Sequence, residues 1–319
     1  MATIDDIIKL SGASRSTVNR FLAGQQVRDD NAKRIKLAMK ELGYRPDKLV
    51  EKRKCTIVII GPTDDGKLPE FQGFAEMMIG MIKALEKEGV TIIIQSYTER
   101  VVREADGVIM FGLESSKEDE IIENLRQRSI PFVCAYRNID RSGVSYVTCD
   151  NYLAAYEMTE MLIKGGHKRI AVWSGSAVKK NMTQKLQGFK DCMVAYKLQI
   201  PSYLIYNSDD IEDGYVWMQR LLDEKIDFTA FFGLTDAIAI RFVDYAQQRG
   251  YKIPQDFAVV AMDGPAAAVY SKPKLTSVTI PFSEVGKKAG ETILELIDNP
   301  DTICIRKYLK YGIVKRESN

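Results

Sequence analysis

Apolar positions along this 319-residue chain follow two regimes. Up to Gly43 they are sparse and helically spaced: Ile4, Ile7 and Ile8, then Val18, Phe21 and Leu22, then Ile35, Ala38, Met39 and Leu42. Spacings of three and four put each set on one face of a helix. The pattern predicts a first helix over about Ile4 to Leu10, opened by a capping-box-like Thr3 and Asp6. Gly12 supplies a turn, and Ser14 stands as N-cap of a second helix. A loop over Gly24 to Arg28 leads to Asp29, Asp30 and Asn31, whose acidic and capping groups suit the start of a third helix ending at Gly43. Three short helices, the second crossing the first after a glycine turn, predict a helix-turn-helix domain.

From Cys55 the apolar residues come in short continuous runs. Thr56–Ile60 is the first, and others are Val90–Ile94, Gly107–Phe111, Phe132–Ala135, Ser145–Cys149, Arg169–Trp173, Thr229–Gly233 and Phe257–Met262. Such runs suit strands buried on both faces of a parallel sheet. Helical periodicity lies between them, over Phe74–Glu88, Glu118–Arg128, Asn151–Ile163, Met182–Tyr196, Tyr215–Asp223 and Thr235–Arg249. The alternation predicts an α/β core of two doubly wound lobes.

The outer face of the second helix carries Arg15, Ser16, Asn19 and Arg20. Arginine can pair bidentately with guanine, and Ser and Asn can bond base edges or phosphates, so this face suits a DNA major groove. Taken alone, the same residues also describe an ordinary solvated face. Charge separates the two readings. Residues 1–54 hold 13 Lys/Arg against 7 Asp/Glu, whereas the remainder holds 32 against 36. The basic excess is confined to the front of the chain, as attraction to phosphate requires. Specific binding by so small a domain implies a dimer on a two-half-site operator.

The order TI-DDI-KLSG-SRSTV-R-L followed by ELGYRP resembles the headpiece of the lactose-repressor/galactose-repressor (LacI/GalR) family of bacterial transcription regulators. Later segments resemble the family in order: Tyr146–Asn151, Gly166–Ala171, Gln187–Phe189, Thr235–Asp236, Val259–Asp263 and Leu275–Val278. The resemblance implies a helix-turn-helix headpiece over 1–46, a hinge over 47–55 and a periplasmic-binding-protein-like core over 56–319. Lobe one would comprise about 56–164 and 280–303, and lobe two about 165–279 and 304–319. Crossings are expected near Lys164–Lys168, Val278–Pro281 and Asp301–Ile303, with a last strand over about Ile305–Val314 returning to lobe two.

The resemblance also implies site residues. DNA contacts fall on Thr3, Ser14, Arg15, Ser16, Thr17, Asn19, Arg20, Lys48 and Arg53, with Arg15 and Ser16 reading bases. Arg53 stands where the family has a hinge leucine that wedges into the minor groove; the lesser alternative is that 47–54 forms only a charged tether. Effector contacts fall on Phe71, Asp150, Lys185, Asp209, Thr235, Asp263 and Ile280. Lys185 replaces a clamping Arg and lacks its planar fork; Thr235 replaces Asn, Ile280 replaces Gln, and Asp209 replaces an aromatic residue. Asp236 reads as a helix cap. The connection from Ile94 to Gly107 is too short for the full helix the family has there.

Catalysis finds little support. His167 is the one histidine and reads as structural. No phosphate-binding glycine loop or metal-ligand spacing occurs, so no cofactor or metal is implied. Cys55, Cys134, Cys149, Cys192 and Cys304 are scattered and read as buried thiols in a reducing cytoplasm. No signal peptide or long apolar span is evident, and no heptad tail follows, so the expectation is a cytoplasmic homodimer without membrane contact. The function expected is a repressor that binds double-stranded palindromic operator DNA and is controlled by a sugar or sugar phosphate in the cleft. The competing expectation is a DNA-binding dimer with a degenerate core that answers to a protein partner or to no ligand.

Overall fold

The structure, a computed structural model, describes residues 3–22, 25–44, 55–61, 73–96, 104–113, 115–139, 141–175 and 180–319. The head and the core are separate compact units. In the head, α1 spans Ile4–Ser11, α2 Arg15–Leu22 and α3 Asp29–Glu41. The Thr3–Asp6 capping box is closed from both sides. The Thr3 N–H donates to Asp6 Oδ2 at 2.8 Å, and the Asp6 N–H to Thr3 Oγ1 at 3.3 Å. Helix α1 stops at Gly12, whose φ of +65° is a left-handed conformation that glycine reaches without steric cost. Ser14 Oγ accepts the Thr17 N–H at 3.2 Å and so opens α2. Ile7, Ala13, Val18, Ile35 and Ala38 are buried together, with Phe21, Leu22, Met39 and Leu42 packed around them.

Two six-stranded sheets build the core. The first lobe contains β1 (Thr56–Ile60), α4 (Gly73–Glu86), β2 (Thr91–Gln95), β3 (Gly107–Met110), α5 (Ser115–Gln127), β4 (Phe132–Ala135) and β5 (Ser145–Cys149). The second contains α6 (Asn151–Lys164), β6 (Ile170–Trp173), α7 (Lys180–Ala195), β7 (Ile205–Tyr206), α8 (Ile211–Asp223), β8 (Ala230–Gly233), α9 (Asp236–Gln248), β9 (Ala258–Met262), α10 (Pro265–Tyr270) and β10 (Thr276–Thr279). Helix α11 (Phe282–Asp298) then packs on β3, β4 and β5. The last strands are β11 (Arg306–Leu309) and β12 (Gly312–Val314). Sheet order is β11-β5-β4-β3-β1-β2 in one lobe and β12-β10-β9-β8-β6-β7 in the other. All pairings are parallel except β12 on β10. Strands β1, β3, β4, β6, β8 and β9 are buried nearly throughout, which is why their sequences are mostly continuous apolar runs; β5 is equally buried but carries the polar Ser145 and Thr148.

Three sequence expectations need correction. Strand β2 is an edge, with Ile94 49% exposed, so its apolar run does not signal burial on both faces. The first crossing lies at Asp150, not at Lys164–Lys168, because α6 packs lengthwise on α7 and also touches β9. Gly188 of α7 allows that packing: a Cβ there would lie 2.2 Å from the Tyr152 carbonyl oxygen. The final strand is split. β11 joins lobe one beside β5, and only β12 belongs to lobe two, so the third crossing lies at Lys310–Tyr311 and not at Asp301–Ile303. The Tyr311 hydroxyl fixes that crossing by donating to Glu157 Oε2 at 2.6 Å. The second crossing runs from Thr279 to Pro281.

Candidate functional site

Helix α2 has two faces. Val18 is wholly buried and Phe21 and Leu22 are partly so, while Ser14, Arg15, Ser16, Asn19 and Arg20 are exposed. Thr17 is half-buried and shares a 2.8 Å hydroxyl contact with Ser14. Thr3 is exposed at the start of α1. Arg20 donates to the Gln26 carbonyl at 3.0 Å, which ties the end of α2 to the loop before α3. Arg15 is ion-paired with Asp5 of α1. Lys48 and Arg53 lie outside the described residues, as do Phe71 and most of the short β2–β3 connection.

In the core, polar side chains converge at the C-terminal ends of the parallel strands, where open α/β sheets bind ligands. Tyr136 follows β4, Asn151 follows β5, Asp236 follows β8 and Asp263 follows β9. Asp263 is the hub. It is ion-paired with Lys185 of α7, and its Oδ1 accepts the Tyr136 hydroxyl at 2.6 Å. The same hydroxyl lies 3.1 Å from Asn151 Oδ1. Lys185, fully buried, also donates to the Leu234 carbonyl at 3.0 Å. Tyr136 belongs to lobe one and Asp263 to lobe two, so their bond spans the cleft. Gln184 and Asn138 make a second bond across it.

Backbone and burial reinforce this centre. Tyr136 and Asp263 have φ of +58° and +94°, left-handed conformations that cost an L-residue about 1–3 kcal/mol each and persist only where the surroundings enforce them. Next to Tyr136, Arg137 is buried against Glu118 at 2.8 Å and donates to the Leu113 carbonyl at 2.6 Å. Burial pulls the Lys185 ammonium below the usual lysine range, and Asp263 pulls it back up. Burial, then the Asp263 charge, holds the Tyr136 hydroxyl well above the ordinary phenol range. Burial pushes the Cys149 thiol up to about 12, far from a reactive thiolate.

Of the effector residues expected from sequence, Lys185 and Asp263 come together. Thr235 caps α9 by accepting the Ile238 N–H at 3.3 Å, and so takes the role expected of Asp236. Asp236 is instead buried in the first turn and accepts the Ser277 hydroxyl at 2.6 Å. Burial raises it to about 7, against the hydrogen bonds from Ser277 and the Gly264 N–H. Asp150 caps α6 through the Leu153 N–H at 2.9 Å. Ile280 is buried at the second crossing, and exposed Asp209 sits over Gly175. Tyr136 and Asn151 escaped sequence reasoning. The one signal for them is a polar residue just after an apolar strand, although Asn151 also closes the Tyr146–Asn151 segment. Buried polar atoms here without a protein partner include Asp236 Oδ2 and Asn151 Nδ2, with Gln184 Oε1 at the second cross-cleft bond. Asp236 Oδ2 accepts and Asn151 Nδ2 donates, as binding a hydroxyl requires. His167 bonds Thr229 Oγ1 at 3.0 Å, outside this cluster.

An exposed polar helix in a basic three-helix head, followed by a two-lobed α/β core with a polar centre, defines a DNA-binding transcription regulator. Residues 3–47 match the bacterial regulatory proteins of the lacI family, and residues 159–319 match the periplasmic binding protein-like domain. The chain belongs to the LacI family. Among its relatives, it is 27% identical over 334 residues to the HTH-type transcriptional regulator CelR of Thermobifida fusca, covering 99% of this chain and 98% of that protein. It is 28% identical over 335 residues to the ribose operon repressor of Haemophilus influenzae, covering 100% and 98%. The solved CelR–cellobiose complex superposes with a TM-score of 0.75 at 26% identity, over 100% of both chains. These relatives are DNA-binding regulators, and this chain is a transcription regulator, not an enzyme. No helix among the described residues is long and apolar enough to cross a membrane.

Proposed function

We propose that the protein is a cytoplasmic homodimeric repressor that binds a palindromic operator and is controlled by a small carbohydrate in the interlobe cleft. The observation that carries the reading is the convergence of Asp263, Lys185, Tyr136, Asn151 and Asp236 at the strand ends, with Asp236 Oδ2 and Asn151 Nδ2 left without partners. The cellobiose-bound relative favours a sugar. On the DNA side, Arg15 and Ser16 read base edges; Thr3, Ser14, Thr17, Asn19 and Arg20 position the helix on the duplex; and Lys48 and Arg53 of the hinge meet the backbone or the minor groove. Ligand binding controls DNA affinity only through different affinity for two core states.

The test is a thermal-shift screen against mono- and disaccharides, their phosphates and purines. A ligand at 100 times its dissociation constant adds about 2.7 kcal/mol to the state it binds. A hit that weakens operator binding and is lost in Asn151→Ala supports the reading. A second reading, a core under a protein partner's control or none, draws on one observation: Asp263 is spent on protein groups, paired with Lys185 of its own lobe and accepting the Tyr136 hydroxyl from the other. A screen without hits, from protein that still binds its operator, favours that second reading.

A further inference from the structure

The recognition helix carries one contact that folding does not require. Arg15, the first residue of α2, donates through Nη2 to the carboxylate of Asp5 in the first turn of α1. The two side chains are 64% and 68% exposed, and ion pairs this open contribute little to stability. Asp5 and Asp6 look alike in sequence, two acids where a helix start favours them. They do different things. Asp6 is consumed by the capping box with Thr3, whereas Asp5 reaches across to the neighbouring helix.

What the contact changes is where Arg15 points and what it can bind. A free arginine samples many rotamers, and fixing it on DNA costs that freedom. The guanidinium has five N–H donors on a planar fork. A carboxylate on one edge leaves the others for a second acceptor pair. Guanine offers one, O6 and N7, without net charge. A phosphate is a poorer partner, because the Asp5 charge beside the guanidinium repels it. Resting on the reading of α2 as the operator-contacting helix, we propose that Asp5 is a positioning residue for specificity: it aims Arg15 at one guanine in each half-site and away from the phosphate backbone.

The experiment selects binding sites for the full-length protein from a randomised double-stranded library, then measures affinities for single-base variants of the selected site across a salt series. Wild type, Asp5→Ala, Asp5→Asn, Asp5→Glu, Arg15→Ala and the Asp5→Ala/Arg15→Ala pair are compared, with thermal melts confirming that each folds. The expected results are these. Arg15→Ala loses the preference for guanine at one position. Asp5→Ala and Asp5→Asn lower that preference at least about fivefold, while binding random DNA more tightly and with a steeper salt dependence. Asp5→Glu recovers part of the preference, and the double variant shows no loss beyond Arg15→Ala. Unchanged preference in Asp5→Ala, with preference lost in Arg15→Ala, overturns the proposal and leaves the base-reading role of Arg15 intact. Preference retained in Arg15→Ala overturns both.

Discussion

Replacing Asp263 by Ala strands a cation in the centre of the core. Lys185 is fully buried, and after the change its ammonium keeps the Leu234 carbonyl at 3.0 Å as hydrogen-bond partner and the more weakly acting Asp236 as its remaining acidic neighbour. Tyr136 loses less, because its hydroxyl still has Asn151 Oδ1 at 3.1 Å. The cost is therefore that of an unpaired buried charge, about 3–5 kcal/mol. At roughly 2–4 °C per kcal/mol for a large domain, the melting of the core falls by about 10 °C. Burial already lowers the Lys185 pKa, and the Asp263 contributions that raise it disappear. Folded Lys185 then binds fewer protons than the unfolded chain up to the unfolded lysine pKa of about 10.4. Stability of the variant consequently rises with pH over that window, by up to about 1.4 kcal/mol per unit, once the folded pKa is passed. The full penalty holds below that pKa. Adding Lys185→Met removes the charge and restores most of the loss, since a buried ion pair is replaceable by apolar groups of similar volume. Urea unfolding of the single and double variants at pH 7 and pH 9.5 reads both effects. If the two variants are equally stable, or Asp263→Ala costs under 1 kcal/mol, Lys185 is not the buried cation described here.

Three further outcomes follow from the same core. Tyr136→Phe removes a hydrogen bond to a carboxylate across the cleft and lowers core stability by about 1.5–3 kcal/mol; an unchanged urea midpoint would show that the bond does not hold the lobes. For Asp236, whose folded pKa is raised to about 7 by burial, the folded state holds its proton longer than the unfolded chain. Its contribution to stability therefore falls as pH rises from about 4 to about 7, by at most about 4 kcal/mol. Asp236→Asn is relatively more stable at pH 7 than at pH 4, and a flat difference in stability between the two proteins across that window rejects the shift. Gly188→Ala forces a Cβ against the Tyr152 carbonyl 2.2 Å away and the Tyr156 N–H nitrogen 3.1 Å away. Overpacking against backbone costs about 1–3 kcal/mol, and a melting temperature equal to wild type would contradict the close α6–α7 approach.

Legibility in the sequence tracked how local each feature is. Strands such as Ile57–Ile60 and Val259–Met262 announce themselves, because burial on both faces leaves no polar position in the run. Edge strands do not. Arg306–Leu309 alternates exposed and half-buried residues, and Ile205–Tyr206 is only two residues long. The paired glycines after Lys164 suggest a lobe boundary that is absent there, for a similar reason: the α6 partner, α7, begins 16 residues further on, and only tertiary packing shows the pairing. At the site, Asp263 and Lys185 were visible as charged residues in familiar surroundings. Their mutual neutralisation was not, nor was the hydroxyl of Tyr136 reaching them from the other lobe. Thr235 and Asp236 are adjacent, and both are able caps. Only the buried Ser277 hydroxyl, 2.6 Å from Asp236, explains why the threonine caps and the aspartate turns inward.

The division of the last strand between the lobes bears on how the protein is made. Arg306–Leu309 and Gly312–Val314 leave the ribosome after every other strand of both sheets. Until then β5 and β10 each present an unpaired edge, and unpaired edges invite association with other chains. The three helices of the head, by contrast, are translated first and close a core of their own. The head can thus fold while the core is still being made, and a chain cut short between Thr279 and Arg306 carries a folded head joined to two sheets that each lack an edge strand.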